Sequence, residues 1–402
     1  MSLWNPGQAL HRQRFILGFA TLSILGGISF GLARVVTALY AIDLGATTTQ
    51  LGLIAAAQSL GLLVMALPIG ILVEHYGPAR LFLIGTLFAG LLYALIPLIP
   101  SPWFLVLCTA LISFGMPCRF IALNTVFMEH LSRLGDAKAG WMRGNSLIGM
   151  LLIGPALGAS IVGWFNFAGA YLFIALTVGI AILLSPAVLR SEHQPHDRQL
   201  ELGLSRLTGQ LRSIVDDSAL RETSILEFVL QAAIGFFSFF IVPIAIRNFH
   251  FSAQEAAHLI SGEGALFIAA LFFSGSLIPR LGLKQVYLLS LGGAIASLLI
   301  LGLARDTLAL WLGSLLLGLA LGTLQTVNLS SFARVGSVLG RGNIAGIIAL
   351  VGPSGGLIGG FFGGIWGEHF SLQSAFLLLT LPLASSLFHI LLRGRLAVTQ
   401  LN

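Results

Sequence analysis

Charged side chains are scarce in this sequence. Only 9% of its 402 residues are Asp, Glu, Lys or Arg and 56% are hydrophobic, whereas a water-soluble domain carries about 25% charged residues. The mean hydropathy is +0.95. Water cannot be the main solvent of such a chain, which excludes an ordinary soluble domain. Because a bilayer core about 30 Å thick requires about 20 apolar residues per helix, the sequence predicts an all-α membrane protein.

Cysteines and clustered metal ligands are also few. The two cysteines, Cys108 and Cys118, lie ten residues apart in one predicted helix. That separation is about 15 Å, which is beyond the reach of a disulfide. His193 and His196 stand in a polar stretch without further ligands, and a zinc site requires three or four. We therefore expect no disulfide, no metal and no cofactor.

Long apolar runs fill most of the chain instead. Their lengths and spacing predict twelve transmembrane helices, called here spans one to twelve. The run after the first fourteen residues is too long for a cleaved signal peptide, so we expect it to remain as span one. The predicted ranges are 15–40, 49–73, 79–99, 102–128, 144–164, 168–189, 223–246, 254–278, 283–304, 308–332, 343–366 and 371–392.

The basic residues are distributed unevenly between the two sides that these spans define. If the N-terminus is cytoplasmic, the cytoplasmic segments hold 17 of the 21 Lys and Arg residues, and the opposite side holds only Arg247 and Arg305. Such an excess marks the cytoplasmic side of membrane proteins. The pattern predicts cytoplasmic termini in a plasma membrane, in particular a bacterial inner membrane. It also accounts for the net charge of +6 without a nucleic-acid partner.

Two short patterns occur once in each part of the chain, in the same order. They are an Arg-Gly-Asn triplet followed by Gly-Pro, and a pair of glycines seven residues apart. Repeated landmarks indicate a duplicated six-helix unit. We predict an N-terminal half at 1–189, a C-terminal half at 223–402, and a cytoplasmic linker at 190–222 that contains a short amphipathic helix. The matching positions are Arg143 and Arg341, Gly154-Pro155 and Gly352-Pro353, Gly158 and Gly356, Gly70 and Gly275, and Gly77 and Gly282.

The glycine pairs carry a resemblance to a known family. The string GILVEHYGPAR starts at Gly70 and GSLIPRLGLK starts at Gly275. Both resemble the G-x-L-x-D-R-x-G-R-R signature that follows span two in the major facilitator superfamily. Glu74 occupies the position of the signature's Asp, and Arg80 is the one basic residue that follows Gly77 where the signature has two. The second copy has Pro279 at the position of the Asp. The resemblance covers essentially the whole chain and implies a transporter that works by alternating access, not an enzyme.

A second motif concerns the direction of transport. Gly154-Pro155-x-x-Gly158 in span five resembles the G-P-x-x-G-G signature of proton-coupled exporters in that superfamily, although Ala159 replaces the second glycine. The leading hypothesis is therefore an efflux antiporter, a monomer in the lipid bilayer that exchanges a small organic molecule such as a metabolite, siderophore or drug for protons. Proton symport for uptake is the alternative, and a polytopic membrane enzyme or sensor is a remote one.

Ionisable side chains inside predicted spans mark candidate positions on the transport pathway, because their burial in hydrocarbon is costly. Arg34 lies in span one, Arg119 in span four, Glu227 in span seven and Glu263 in span eight. For Arg34, snorkelling towards the membrane surface is the alternative interpretation. For Glu227, the favoured interpretation is a surface position at the cytoplasmic end of its span. Two arginines against one deep acid indicate a substrate with anionic character.

The resemblance also implies a central cavity lined by spans one, four, seven and ten. Arg119 would face this cavity with polar side chains of spans seven and ten, namely Gln231, Gln325 and Asn328. Burial favours the neutral form of a carboxyl group, so Glu263 is the predicted proton carrier. The competing interpretation is a permanent ion pair between Glu263 and Arg119.

One further contact is predicted between the halves. The carboxylate of Glu74 at the end of span two is expected to face the positive N-terminus of span eleven, where Arg341 lies. Pro279 takes the place of the acid in the second half, so this cytoplasmic latch is expected on one side only.

Overall fold

A computed structural model describes residues 6–65, 68–134, 144–189 and 204–393, and within these ranges it contains helices and no β-strand. In the N-terminal half, span one is Pro6–Asp43, span three is Pro78–Leu95 and span four is Pro102–Leu134. Span two consists of two helices, Thr48–Met65 and Pro68–Tyr76. The all-α membrane architecture predicted from the apolar runs is confirmed.

Spans five and six form one continuous helical segment. A π-helical turn, Ile148–Ile153, leads into the helix Gly154–Leu184. The membrane-crossing segment that contains them, Gly144–Ala187, has 44 residues, which is about twice the length that one crossing needs. Asn166 interrupts it with a non-helical backbone at φ 58° and ψ −176°. The described residues contain eleven apolar segments. Because this one segment crosses the membrane twice, the eleven segments make twelve spans, as predicted.

The C-terminal half repeats this arrangement. Span seven begins at Ser218, inside the predicted linker, and a separate helix, Leu204–Asp216, occupies the place of the predicted amphipathic helix. Gln210 of that helix is buried against Gly346 of span eleven. The other helices are Ala253–Phe273 with Leu277–Leu281 as span eight, Leu283–Leu303, Thr307–Leu339, Arg341–His369 and Ala375–Arg393.

The glycine turns after spans two and eight have nearly identical backbones. Gly77 has φ 80° and ψ 152°, and Gly282 has φ 85° and ψ 151°. This positive φ favours glycine at both positions, and its recurrence supports the duplication. By contrast, a Cβ atom at Gly70 or Gly275 would meet no other atom within 4 Å, so close packing does not require these two glycines.

Three residues of the predicted cytoplasmic motifs are not fully described. Arg143 lies outside the described residues, and at Glu74 and Arg341 only the backbone is described. Arg80 is exposed after the glycine turn. The latch between Glu74 and the start of span eleven therefore stays a prediction.

Two helix pairs make most of the contacts between the halves: span two packs on span eleven, and span five packs on span eight. The first pair approaches closely because both helices present glycine, and a Cβ atom on Gly52 would lie 2.5 Å from the Cα atom of Gly364. Small residues permit this approach within a membrane. The second pair includes a hydrogen bond of 3.1 Å from the Ser261 hydroxyl to the carbonyl of Leu152.

Polar contacts also join the halves at the distal end, which we define as the end opposite the chain termini, where the loops at 44–47 and 370–374 lie. Oε2 of Glu368, in span eleven, accepts hydrogen bonds from the Thr48 hydroxyl at 2.6 Å and from the Thr49 hydroxyl at 3.0 Å and amide at 3.1 Å. Arg247 of span seven donates to the carbonyl of Ala46 at 3.1 Å. The two halves are therefore held together at the distal end.

Candidate functional site

A small cavity with both apolar and polar lining residues lies within the N-terminal half, among spans one to four. Its free volume is about 30 Å³, which is room for about two water molecules. An organic substrate is larger, so the cavity must widen to admit one. The apolar lining residues are Phe30, Ala33, Ile112 and Met116, and the polar ones are Arg34, Thr37, Gln58, Tyr93, Thr109 and Ser113.

Two side chains of the cavity contain buried polar atoms without a hydrogen-bond partner. They are Nε of Arg34 and Oε1 of Gln58. Two other lining groups already have partners, since Tyr171 donates to the Thr37 hydroxyl at 3.3 Å and the amide of Gly61 donates to the Ser113 hydroxyl at 2.8 Å. An unpaired buried polar atom costs about 1–3 kcal/mol. A ligand that forms hydrogen bonds near Arg34 and Gln58 would therefore gain more binding free energy than one that forms them elsewhere in the cavity.

Glu263 approaches Arg34 from the other half of the protein. It is buried in span eight, and it interacts electrostatically with Arg34. Arg34, Gln58 and Glu263 each lie about ten residues from the distal end of their helices, which is about 15 Å in depth. The equal depth matches the equivalence of Gln58 and Glu263 in the duplicated sequence. Arg34 therefore turns to the interior, and the snorkelling interpretation is wrong.

Arg119 is a second buried cation, and it has no acidic partner among the described residues. Its Nη1 lies 3.9 Å from the sulfur of Met116, and it interacts electrostatically with Tyr93. The predicted ion pair between Arg119 and Glu263 is not formed, because the basic group beside Glu263 is Arg34. The physical reason is depth: Arg119 lies about 17 residues from the distal end of span four, about 10 Å deeper than Glu263.

The polar residues predicted in spans seven and ten meet around Glu227. Its Oε1 accepts a hydrogen bond from Gln231 at 2.9 Å, and its Oε2 accepts one from Asn328 at 2.8 Å. Gln231 also donates to Gln325 at 3.2 Å, and the hydroxyl of Tyr287 donates to Asn328 at 2.9 Å. One donor of Gln325, Nε2, remains unpaired. These amides therefore hold a carboxyl group in this state and line none of the described cavities.

The surface position favoured for Glu227 from the sequence is wrong. Only 2% of this residue is exposed, because span seven begins at Ser218, more than two turns before Glu227, so that Glu227 does not lie at the end of the helix. A signal was available in the sequence. Glu227 and Gln231 are four residues apart, so they share one face of the helix, and that face was already expected to point inwards.

The Gly-Pro motifs bring helices together in both halves. A Cβ atom on Gly154 would lie 2.8 Å from the amide nitrogen of Leu32 in span one, and one on Gly158 would lie 3.2 Å from its carbonyl oxygen. Pro155 follows the π-helical turn. In span eleven, Gly355 lies against the backbone of Phe228 in span seven. The motif in span five thus fixes the part of span one that carries Arg34.

Comparisons with known proteins agree with this architecture. The profile of the Major Facilitator Superfamily matches residues 19–242 and 223–399. No curated protein sequence gives a significant match. The identities to solved structures are low, so these likenesses show a shared fold and no more.

Three solved transporters are similar over their whole length. The nucleoside transporter NupG has a TM-score of 0.77 at 16% identity, with 94% of this chain and 99% of that chain covered. The human organic anion transporter MFSD10 (TETRAN) has a TM-score of 0.68 at 15% identity, with 94% of this chain and 99% of that chain covered. A bacterial homologue of the human lysosomal transporter Spinster gives 0.67 at 14% identity, with 97% of each chain covered.

Proposed function

The chain belongs to the Major Facilitator Superfamily, and from that premise we propose that it is a secondary active transporter that moves a small organic anion by alternating access, coupled to protons. The observation that carries the proposal is the electrostatic interaction between Arg34 and Glu263 inside the protein, which takes place without a direct contact within 4 Å. The two residues come from opposite halves, and Arg34 also lines the cavity. An arginine is always charged, and it is well suited to bind a carboxylate.

The pair gives the transporter two states in which the buried charges balance. In the empty state, ionised Glu263 compensates the charge of Arg34. When a substrate anion binds Arg34, an ionised Glu263 would be left without compensation in an apolar environment, which is strongly unfavourable. Taking up a proton removes this penalty. The anion and the proton therefore favour each other's binding.

This cooperativity determines the sign of the coupling. Joint binding of anion and proton is proton symport, whereas exchange requires that the substrate and the proton compete for one group. The geometry around Arg34 favours symport of an anion. The Gly-Pro motif in span five keeps proton exchange, the leading hypothesis from the sequence, as the second candidate. Exchange would apply to a cationic substrate that displaces the proton of Glu263.

We assign the remaining candidate residues by their contacts. Arg119 contributes a second positive charge beside the cavity, and Gln231, Gln325 and Asn328 stabilise the C-terminal half through Glu227. One neighbour in fold, MFSD10, is an organic anion transporter. At 15% identity this is an analogy of fold, which does not determine a substrate.

Purified protein in liposomes that contain a pH-sensitive dye tests the proposal. Gluconate, malate and succinate, which do not cross lipid unaided, are added outside while the membrane potential is held at zero with valinomycin and potassium. Symport acidifies the lumen, whereas exchange makes it alkaline. Protein-free liposomes and the Arg34→Gln variant give the baselines. A wild-type signal equal to these baselines for every anion would contradict the proposed function.

A further inference from the structure

We infer that the substrate is a dianion with two anionic groups separated by a short apolar spacer, such as a four- or five-carbon dicarboxylate, and that Arg119 binds its second anionic group. The inference rests on the proposed function, because it takes Arg34 as the site of the first anionic group. What it adds is the charge and the length of the substrate.

The first argument is charge balance. Arg34 interacts electrostatically with Glu263, whereas no acidic side chain in the described residues lies within 4 Å of Arg119 or interacts with it electrostatically, and Arg119 is only 4% exposed. Its neighbours are the sulfur of Met116 and the aromatic Tyr93, and neither carries a negative charge. A buried charge is normally paired or bound to a ligand. A second anionic group on the substrate supplies the partner that the protein lacks.

The second argument is position. Both neighbours of Arg119, Met116 and Tyr93, also line the cavity that contains Arg34. Nη2 of Arg119 reaches span one near Gly26, where an added Cβ atom would be 3.9 Å away. The two arginines therefore adjoin the same cavity at different depths.

The third argument is length. The backbone positions of Gly26, which Arg119 reaches, and of Arg34 are about 12 Å apart along span one, and we take this rise as the scale of the separation between the two guanidinium groups. A charge-assisted contact between an arginine and a carboxylate separates their carbon centres by about 4 Å. Two such contacts leave about 4 Å between the two carboxyl carbons, which corresponds to a spacer of two or three methylene groups. Phe30 lies between the two levels and lines the cavity with Met116, so the surface beside the spacer is apolar.

Binding to the purified full-length chain, measured by calorimetry, tests the inference. The probes are malonate, succinate and glutarate, with 4-hydroxybutyrate as a monoanion of matched length. We expect succinate or glutarate to bind at least tenfold more tightly than 4-hydroxybutyrate and than malonate. In Arg119→Gln this preference should vanish, so that succinate, malonate and 4-hydroxybutyrate bind with affinities within about threefold of one another, and an unchanged midpoint of thermal unfolding shows that the variant is folded. Arg119→Lys, which keeps the charge, should retain part of the preference.

The outcomes separate this inference from the proposed function. Equal binding of 4-hydroxybutyrate and the dicarboxylates by the wild type, or a preference that survives in Arg119→Gln, overturns the dianion and leaves anion transport standing. Failure of every anion to bind overturns both. A second readout is electrical: a dianion that moves with one proton carries net negative charge, so succinate should generate a current in a proteoliposome assay, and its absence during succinate transport would count against the inference.

Discussion

The two halves of the duplicated fold treat their buried polar groups in opposite ways. In the C-terminal half, both carboxyl oxygens of Glu227 accept amide hydrogen bonds, and Asn328 in turn accepts one from Tyr287. In the N-terminal half, Arg34 has an unpaired Nε and Arg119 has only a sulfur contact. Among the members of the C-terminal network, only Nε2 of Gln325 is unpaired. A network with most of its hydrogen bonds made stabilises packing, whereas a ligand lowers the free energy most where it supplies partners to unpaired buried groups. From this comparison we propose that the ligand binds in the N-terminal half and that the network around Glu227 stabilises the C-terminal half.

The largest effect is expected at Arg34. Removing one partner of a buried charge pair costs about 2–5 kcal/mol, so Arg34→Gln should weaken succinate binding by about 30-fold or more. Its midpoint of thermal unfolding should stay close to that of the wild type, because Glu263 can take up a proton when its partner is lost. Calorimetry and thermal unfolding in detergent measure the two quantities. The exposed Arg305→Gln is the matched control, and wild-type affinity in Arg34→Gln would remove the ligand site from this half.

The opposite pattern is expected at Glu227. In Glu227→Gln, an amide nitrogen replaces one carboxyl oxygen and faces a donor of Gln231 or Asn328, which should lower the free energy of unfolding by about 1–3 kcal/mol. Transport by the folded fraction should stay near the wild-type rate. The test is denaturation compared with transport per folded molecule.

A second substitution sharpens this test. Combining Glu227→Gln with Asn328→Asp exchanges donor and acceptor across the same contact, so Gln231 and Tyr287 keep their acceptors. Most of the lost stability should therefore return. If the double variant is no more stable than Glu227→Gln alone, the hydrogen-bond network does not stabilise this half.

The spans and the duplication were predictable because they depend on local properties. Apolar length determines whether a helix crosses the membrane, and the positive φ of Gly77 and Gly282 requires the same residue type in both copies. The pairing of Glu263 was not predicted correctly, although counting residues from the helix ends would have favoured Arg34 over Arg119. The burial of Glu227 depends on where span seven begins and on its contact with span ten, and hydropathy indicates neither.

A smaller effect is expected for proton coupling at Glu263. The neutral amide in Glu263→Gln mimics the protonated carboxyl group, so the anion should still bind and exchange down its gradient. The contribution of one coupled proton, about tenfold accumulation per unit of pH difference, should disappear. Radiolabelled succinate in proteoliposomes with the potential held at zero measures this loss. Glu227→Gln should retain the tenfold accumulation, and retention in Glu263→Gln would show that another group carries the proton.

The smallest effect is expected at the distal end, where one contact crosses between the halves. The carboxylate of Glu368 accepts three hydrogen bonds from Thr48 and Thr49 at the positive N-terminus of span two. A negative charge at such a position contributes about 0.3–1 kcal/mol. Glu368→Gln removes the charge and keeps the shape of the side chain. The ratio of molecules that are closed at the distal end to molecules that are open there should therefore fall about two- to fivefold.

Spin labels on the two halves measure this shift as a change in distance distribution. Ser101→Cys and Arg305→Cys place one label on each half, after Cys108 and Cys118 are replaced by Ser. Glu255→Gln is the matched control, because Glu255 accepts from the amide and hydroxyl of Ser252 at 2.8 Å each, which is the same chemistry at the same end but within one half. It should leave the distribution unchanged. An equal shift in both variants would mean that the lost helix-terminus charge, not the contact between halves, sets the closed population.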